Sequence, residues 1–236
     1  LLLAVQAADA QVKSPEAAKK AVLAAEEAAQ NPKKNTKVAT WLKLASSYMD
    51  AYDAPVGNIL VNSPRLQLQM MMGNEKPVSV EDVVVDGAPF KKEVYANKNL
   101  YFDGTDVLRI VEVTVPVFED PLANALEAYA KAYEVDVKKS KEKDIKTGIQ
   151  LIQQKYFIDG MNQYSLGDYK KAGELLGKAA KASETAPNSV VDTTSLYNAG
   201  YIYWASKDFE TAKTYFERCL AENYYYDNGE VYAKLG

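Results

Sequence analysis

One short motif occurs twice in the C-terminal half of the chain, and its return limits the folds that can hold it. Gly167-Asp168-Tyr169-Lys170-Lys171-Ala172 is followed forty positions later by Lys207-Asp208-Phe209-Glu210-Thr211-Ala212. In each copy a turn leads to an aromatic residue, with Ala three positions on. A large apolar residue follows each Ala by four (Leu176, Phe216), a small residue comes three later (Ala179, Cys219), and a Gly lies twelve before the Ala (Gly160, Gly200). Two helices approach to about 8–10 Å only where small side chains sit at the crossing. Gly160, Ala172 and Ala179 supply them in the first copy, and Gly200, Ala212 and Cys219 in the second. A single helical hairpin cannot bury its apolar face, so such hairpins stack into a curved array. Tyr156, Tyr169, Tyr203 and Phe209 are the rings available to fill the space between them.

A third copy is interrupted. Trp41, Leu44, Ala45 and Tyr48 mark a first helix, predicted from about Asn35 to Tyr52. The Ala of its partner helix belongs near position 57, but that residue is Gly57, in the loop Ala54-Pro55-Val56-Gly57-Asn58. The missing pattern returns 68 residues late as Ala125, Tyr129 and Ala132, within Pro121 to Val135. Residues 54–119 therefore read as an insertion in the turn of this copy. Inside it, Ser63-Pro64 opens a short helix through Met72, ended by Gly73. β-Branched and aromatic runs follow at Val83-Val84-Val85, Lys92 to Tyr95, Asn99 to Phe102 and Leu108 to Val117. Asp86-Gly87 and Asp103-Gly104 are hairpin-turn signals between them. Ile110, Glu112 and Thr114 alternate with Val111, Val113 and Val115, which predicts a strand with one apolar face. A small antiparallel sheet of three or four strands, packed on the helices, is expected.

On either side the pattern is helical. Pro15 to Gln30 is rich in Ala, Glu and Lys, with Ser14 placed to cap it and Asn31-Pro32 to end it. Downstream, helices are predicted over about Lys143–Leu166, Tyr169–Ser183, Thr193–Ser206 and Phe209–Glu222. Asp227-x-x-Glu230 has the form of a capping box before one more helix start.

These offsets resemble the tetratricopeptide repeat (TPR), a helical hairpin of about 34 residues. The resemblance covers residues 35–53 and 120–236. It implies a mainly α fold, a TPR-like α-α superhelix with a small antiparallel β-sheet inserted in the first repeat. The divisions are 11–53 (N-terminal helices and first half of repeat 1), 54–119 (inserted lobe), 120–137 (second helix of repeat 1), 138–186 (repeat 2), 187–226 (repeat 3) and 227–236 (start of repeat 4). TPR arrays bind other molecules on a concave face made by the first helix of each repeat. Carried onto this sequence, the lining is Gln154, Phe157, Met161, Tyr164 and Ser165, then Thr194, Tyr197, Tyr201, Trp204 and Ala205. Repeats that grip a chaperone's C-terminal carboxylate use Lys and Asn where Phe157 and Met161 stand, so that role is not expected. The aromatic stripe Phe157, Met161, Tyr164, Tyr197, Tyr201 and Trp204 suits an apolar peptide, a partner helix or a stacked sugar. The competing reading has the inserted sheet or a neighbouring helix filling this groove.

Composition excludes several functions. Histidine is absent, which removes a His general base, a Ser-His-Asp or Cys-His relay and His metal ligation. The single Cys219 can form neither an internal disulfide nor a Cys-rich zinc site, and its place in the repeat is that of a small packing residue. A net charge of −4 argues against general nucleic-acid binding. No run reaches the ~18 apolar residues of a membrane span. Leu1-Leu2-Leu3-Ala4-Val5 ahead of Ala8-Asp9-Ala10 reads as the remnant of a signal peptide over residues 1–10, cleaved after Ala10; an ordinary apolar helix start is the other reading. With the signal, the chain is similar to exported TPR proteins of diderm gut bacteria, which implies a periplasmic or secreted location, in an envelope complex or alone.

The function expected is a non-enzymatic scaffold for a protein or peptide, with no cofactor. The alternative is a glycan-binding module using the aromatic groove. No carboxylate pair stands out by spacing as a glycosidase couple. Lys138 to Lys143 reads as a solvated helix start or a phosphate or lipid site, and Tyr224-Tyr225-Tyr226 as core filling between repeats or an exposed contact patch.

Overall fold

The computed structural model describes residues 12–73 and 75–235. The predicted signal remnant and its cleavage site lie outside the described residues. The fold is mainly helical, with one small antiparallel sheet. Two helices precede the lobe, α1 (Pro15–Gln30) and α2 (Val38–Asp53). The lobe holds α3 (Arg65–Met72), β1 (Ser79–Val85), β2 (Ala88–Val94), β3 (Lys98–Phe102) and β4 (Leu108–Val113). Six helices follow: α4 (Pro121–Val135), α5 (Glu142–Ser165), α6 (Tyr169–Glu184), α7 (Thr193–Ala205), α8 (Phe209–Ala221) and α9 (Glu230–Leu235).

Five helix starts are fixed by a side chain that accepts from a backbone N–H three residues on. Ser14 caps α1 through Ala17, and Asp120, Asp168, Asp192 and Asp208 cap α4, α6, α7 and α8 through Ala123, Lys171, Ser195 and Thr211. Each such cap contributes about 1 kcal/mol. The helices pack in chain order, α1 on α2, α4 on α5, α5 on α6, α6 on α7 and α7 on α8. One contact departs from that order. α2 packs directly on α4, so residues 54–120 leave the stack and return to the same place.

Small residues set these contacts. Gly160 in α5 lies against α6, where an added Cβ would meet Leu176 Cγ at 2.8 Å and the Ala172 carbonyl at 3.3 Å. Earlier in α5, Ile152 and Tyr156 share a cluster with Ala179 and Ala182, later in α6. The pairs run in opposite directions, so α5 and α6 are antiparallel. At Gly200 an added Cβ would come within 2.9 Å of the Phe216 ring. Between one hairpin and the next, the rings of Tyr129, Tyr203 and Tyr215 occupy the space left by Gly148, Gly173 and Gly177.

In the lobe the strands follow one another in the order β1-β2-β3-β4, all antiparallel. Asp86 and Gly87, at φ 49° and 76°, make the tight β1–β2 turn. α3 covers one face, with Leu68 among Tyr95, Leu100, Phe102 and Leu108. The other face, with Val85, Tyr101 and Ile110, meets Leu166 just after α5. On the last strand Val111 joins the α3 face and Ile110 is buried on the opposite one, so both faces carry an apolar residue where one was expected. Tyr101 pairs with Ile110 and Phe102 with Leu108, so Arg109 is bulged and its neighbours Leu108 and Ile110 turn to opposite faces. α3 is locked to the sheet by Arg65, which pairs with Glu93, reaches Asp106 at 2.6 Å and lies 4.0 Å over the Phe102 ring.

The expected capping box at Asp227 and Glu230 is also not found. Asn228 has a left-handed backbone (φ 58°) and breaks the turn. Glu230 instead pairs with Lys234 at 3.0 Å.

Candidate functional site

The aromatic stripe is largely packing. Phe157, Met161, Tyr164 and Tyr201 are half-buried against Ala172, Leu176, Ala199 and Ile202. Tyr197 is 6% exposed, stacked by Tyr226 at 4.0 Å and met edge-on by Tyr224. Lys234 from α9 lies 3.9 Å over Trp204 and 4.9 Å over Tyr201. Tyr164 turns to Tyr169 at 5.6 Å. Five of the six stripe residues thus fall in two neighbouring clusters joined through Tyr201, and the tyrosine-rich segment after α8 closes over the second. Trp204, 36% exposed, is the most open of the six.

A large concavity lies elsewhere, where β4 faces the helices. It is a cleft of about 970 Å³. Its walls come from the end of α2 and the loop after it, β4, the start of α4, and α5 and α6. The insertion creates it, because the lobe leaves the stack at α2, rejoins it at α4, and rests β4 on α5.

Two ion pairs brace the helical wall. Lys155 binds Asp53 at 2.7 Å and lies 4.6 Å over the Tyr52 ring, tying α5 to α2. Lys178 binds Asp120 at 2.8 Å, and Asp120 also accepts from the Tyr156 hydroxyl at 2.7 Å while capping α4. Burial acts to raise the Asp120 carboxyl, but these donors outweigh it and hold the group below the usual range.

Two other carboxylates are held differently. Asp159 Oδ2 accepts from the Tyr52 hydroxyl at 2.9 Å. Burial pushes its carboxyl up to about 6, against the lowering effect of that bond and of Lys155 and Lys171 nearby. Glu112 uses one oxygen, Oε2, to accept from Asn99 at 2.8 Å and Tyr101 at 2.7 Å. Among the described residues, neither carboxylate is in a salt bridge. Among the described residues the second oxygen of each has no protein donor, and neither is among the fully buried side-chain polar atoms without a partner, Ser47 Oγ and Arg65 Nη2.

Among the described residues, no group of three or more potential ligands is arranged to hold a metal ion, and no helix is long and apolar enough to cross a membrane. No protein-family model matches this chain, and neither a curated protein nor a solved structure matches it.

Sequence reasoning missed Tyr52, Glu112 and Asp159 as site residues. They come from α2, β4 and α5: the helices bring Tyr52 to Asp159, and the lobe adds Glu112. One signal was present: Asp159 is a charge directly before Gly160, on a helix whose Gly marks a close crossing.

Proposed function

We propose that the chain is a non-enzymatic scaffold, a TPR-like superhelix interrupted by a sheet-bearing lobe, that holds a segment of a protein or peptide. The binding surface is the cleft beside β4 rather than the aromatic stripe. The observation that carries this reading is the cleft itself: about 970 Å³ of open space, in the size range of dedicated ligand sites, beside a stripe whose rings lie against one another. Helices stacked in chain order with small residues at their crossings support the superhelical frame. The glycan reading places the sugar on the stripe, where Tyr226 already stacks on Tyr197 at 4.0 Å. The apolar start of the sequence, ending in Ala8-Asp9-Ala10, supports export to the periplasm or beyond.

The test is a selection of random 12-residue peptides on the folded protein. Val61 and Val113 line the cleft, and Val61→Trp and Val113→Trp should abolish binding of the selected peptides, whereas Trp204→Ala should not. Peptides sensitive to Trp204→Ala and indifferent to both valine variants would return the site to the stripe.

A further inference from the structure

We propose that the cleft selects a basic side chain, a lysine ammonium or arginine guanidinium, which the unengaged oxygens of Glu112 and Asp159 accept while its methylene stem lies on apolar wall. This rests on the peptide-binding reading above and adds the chemistry of the anchor.

Charge and geometry argue for it together. The cleft is lined by six carboxylates, Asp53, Glu112, Glu119, Asp120, Asp159 and Glu174, against three lysines. Lys155 and Lys178 are neutralised by Asp53 and Asp120. Lys171 is exposed on α6 and also acts on Asp159, and the acids Glu119 and Glu174 are exposed. That leaves Glu112 and Asp159 as inner carboxylates, each satisfied on one oxygen by uncharged donors. A carboxylate is an acceptor only and has room for more than one donor per oxygen. A neutral or acidic group would leave these oxygens unmatched, whereas an ammonium or guanidinium brings several donors and the opposite charge. Beside them, Val111, Val113, Ile59 and Ile158 offer an apolar track of the kind a lysine or arginine stem covers.

The experiment uses peptides from the selection described above. Each peptide is measured by isothermal titration in its native form and with its basic residue replaced by norleucine or citrulline. The expected result is enrichment of Lys or Arg at one position and at least tenfold weaker binding after its replacement. Asp159→Asn and Glu112→Gln, which preserve shape, should each weaken the basic peptide about tenfold and leave the norleucine or citrulline analogue unchanged, so that the two losses do not add. Binding should also weaken as pH falls through about 6, where Asp159 takes up a proton. The groups facing Asp159 are Tyr52 and Asp53 from α2, Lys155 from α5 and Lys171 from α6. Selected peptides that need Val61 and Val113 but tolerate norleucine or citrulline, or that bind both carboxylate variants as well as the parent, would overturn this inference and leave the scaffold reading standing. If no selected peptide depends on Val61 or Val113, both fall.

Discussion

The Tyr52 hydroxyl donates to Asp159 at 2.9 Å, joining the last turn of α2 to α5 across 107 positions of chain. The bond does not offset the burial of the carboxyl, which rises from its ordinary 3.8 to about 6. In the unfolded chain Asp159 loses its proton first. Between about pH 4 and pH 6 the folded state therefore holds more of this proton, and the contribution of Asp159 to stability falls as pH rises through that window. Above it the ionised group is carried at a cost of about 1–3 kcal/mol, since each tenfold change in proton affinity is worth ~1.4 kcal/mol. Asp159→Asn should raise the midpoint of urea unfolding at pH 7.5 by more than at pH 4. A less stable variant at pH 7.5 would show that the carboxylate is a structural asset. A residue that costs stability where it stands fits a binding role.

Gly160→Leu and Ala172→Leu should each lower stability by roughly 1–3 kcal/mol, because a side chain at either position enters the α5–α6 contact. Circular dichroism melts measure this. Unchanged melting temperatures would mean that the helices do not meet along this face.

Arg65 holds the lobe together. It pairs with Glu93 and Asp106 and covers Phe102. Arg65→Ala strands the buried Glu93 and should cost about 3–5 kcal/mol. The loss should show first as faster amide exchange in β2 and β3, with α5 to α8 still protected. Arg65→Lys should not restore protection, since a single ammonium lacks the planar fork that serves two carboxylates and a ring.

Tyr197→Ala should destabilise by about 2–4 kcal/mol, as it empties a buried ring site beneath Tyr226. Trp204→Ala should change stability by less than about 1 kcal/mol. Denaturant titration of the pair separates packing from exposure along the stripe; equal, small effects would mean that the segment after α8 does not close over Tyr197.

Cys219 is fully buried, and burial raises its thiol to about 11. Ellman's reagent at pH 8 should label it only as the protein unfolds, because thiolate and access are both lacking. Rapid labelling under native conditions would place it on the surface.

The helices and their order were legible because their signals are local: the Gly–Ala–aromatic offsets, the caps and the turn residues all lie within a few positions of what they determine. The packing of α2 on α4 across the lobe was legible for a related reason, since the pattern of Trp41 to Tyr48 has no partner until Ala125. What stayed hidden depends on contacts between distant segments. The bulge at Arg109 reverses the facing of every β4 residue beyond it, and no residue in the strand announces it. The burial of Tyr197 depends on how a turn near Asn228 brings Tyr226 back. Asp159 and Glu112 look like ordinary surface acids until the lobe is docked.

The glycines that face tyrosines are unevenly shared. Gly148, Gly173 and Gly177 all belong to the α5–α6 hairpin, while the rings that fill them come from α4 on one side and from α7 and α8 on the other. The middle hairpin is a double socket, and its neighbours are plugs. Brought directly together, two plug-bearing hairpins would set ring against ring with no recess to receive either. The three units are thus not interchangeable despite their shared pattern, and their order is written in where the side chains are missing.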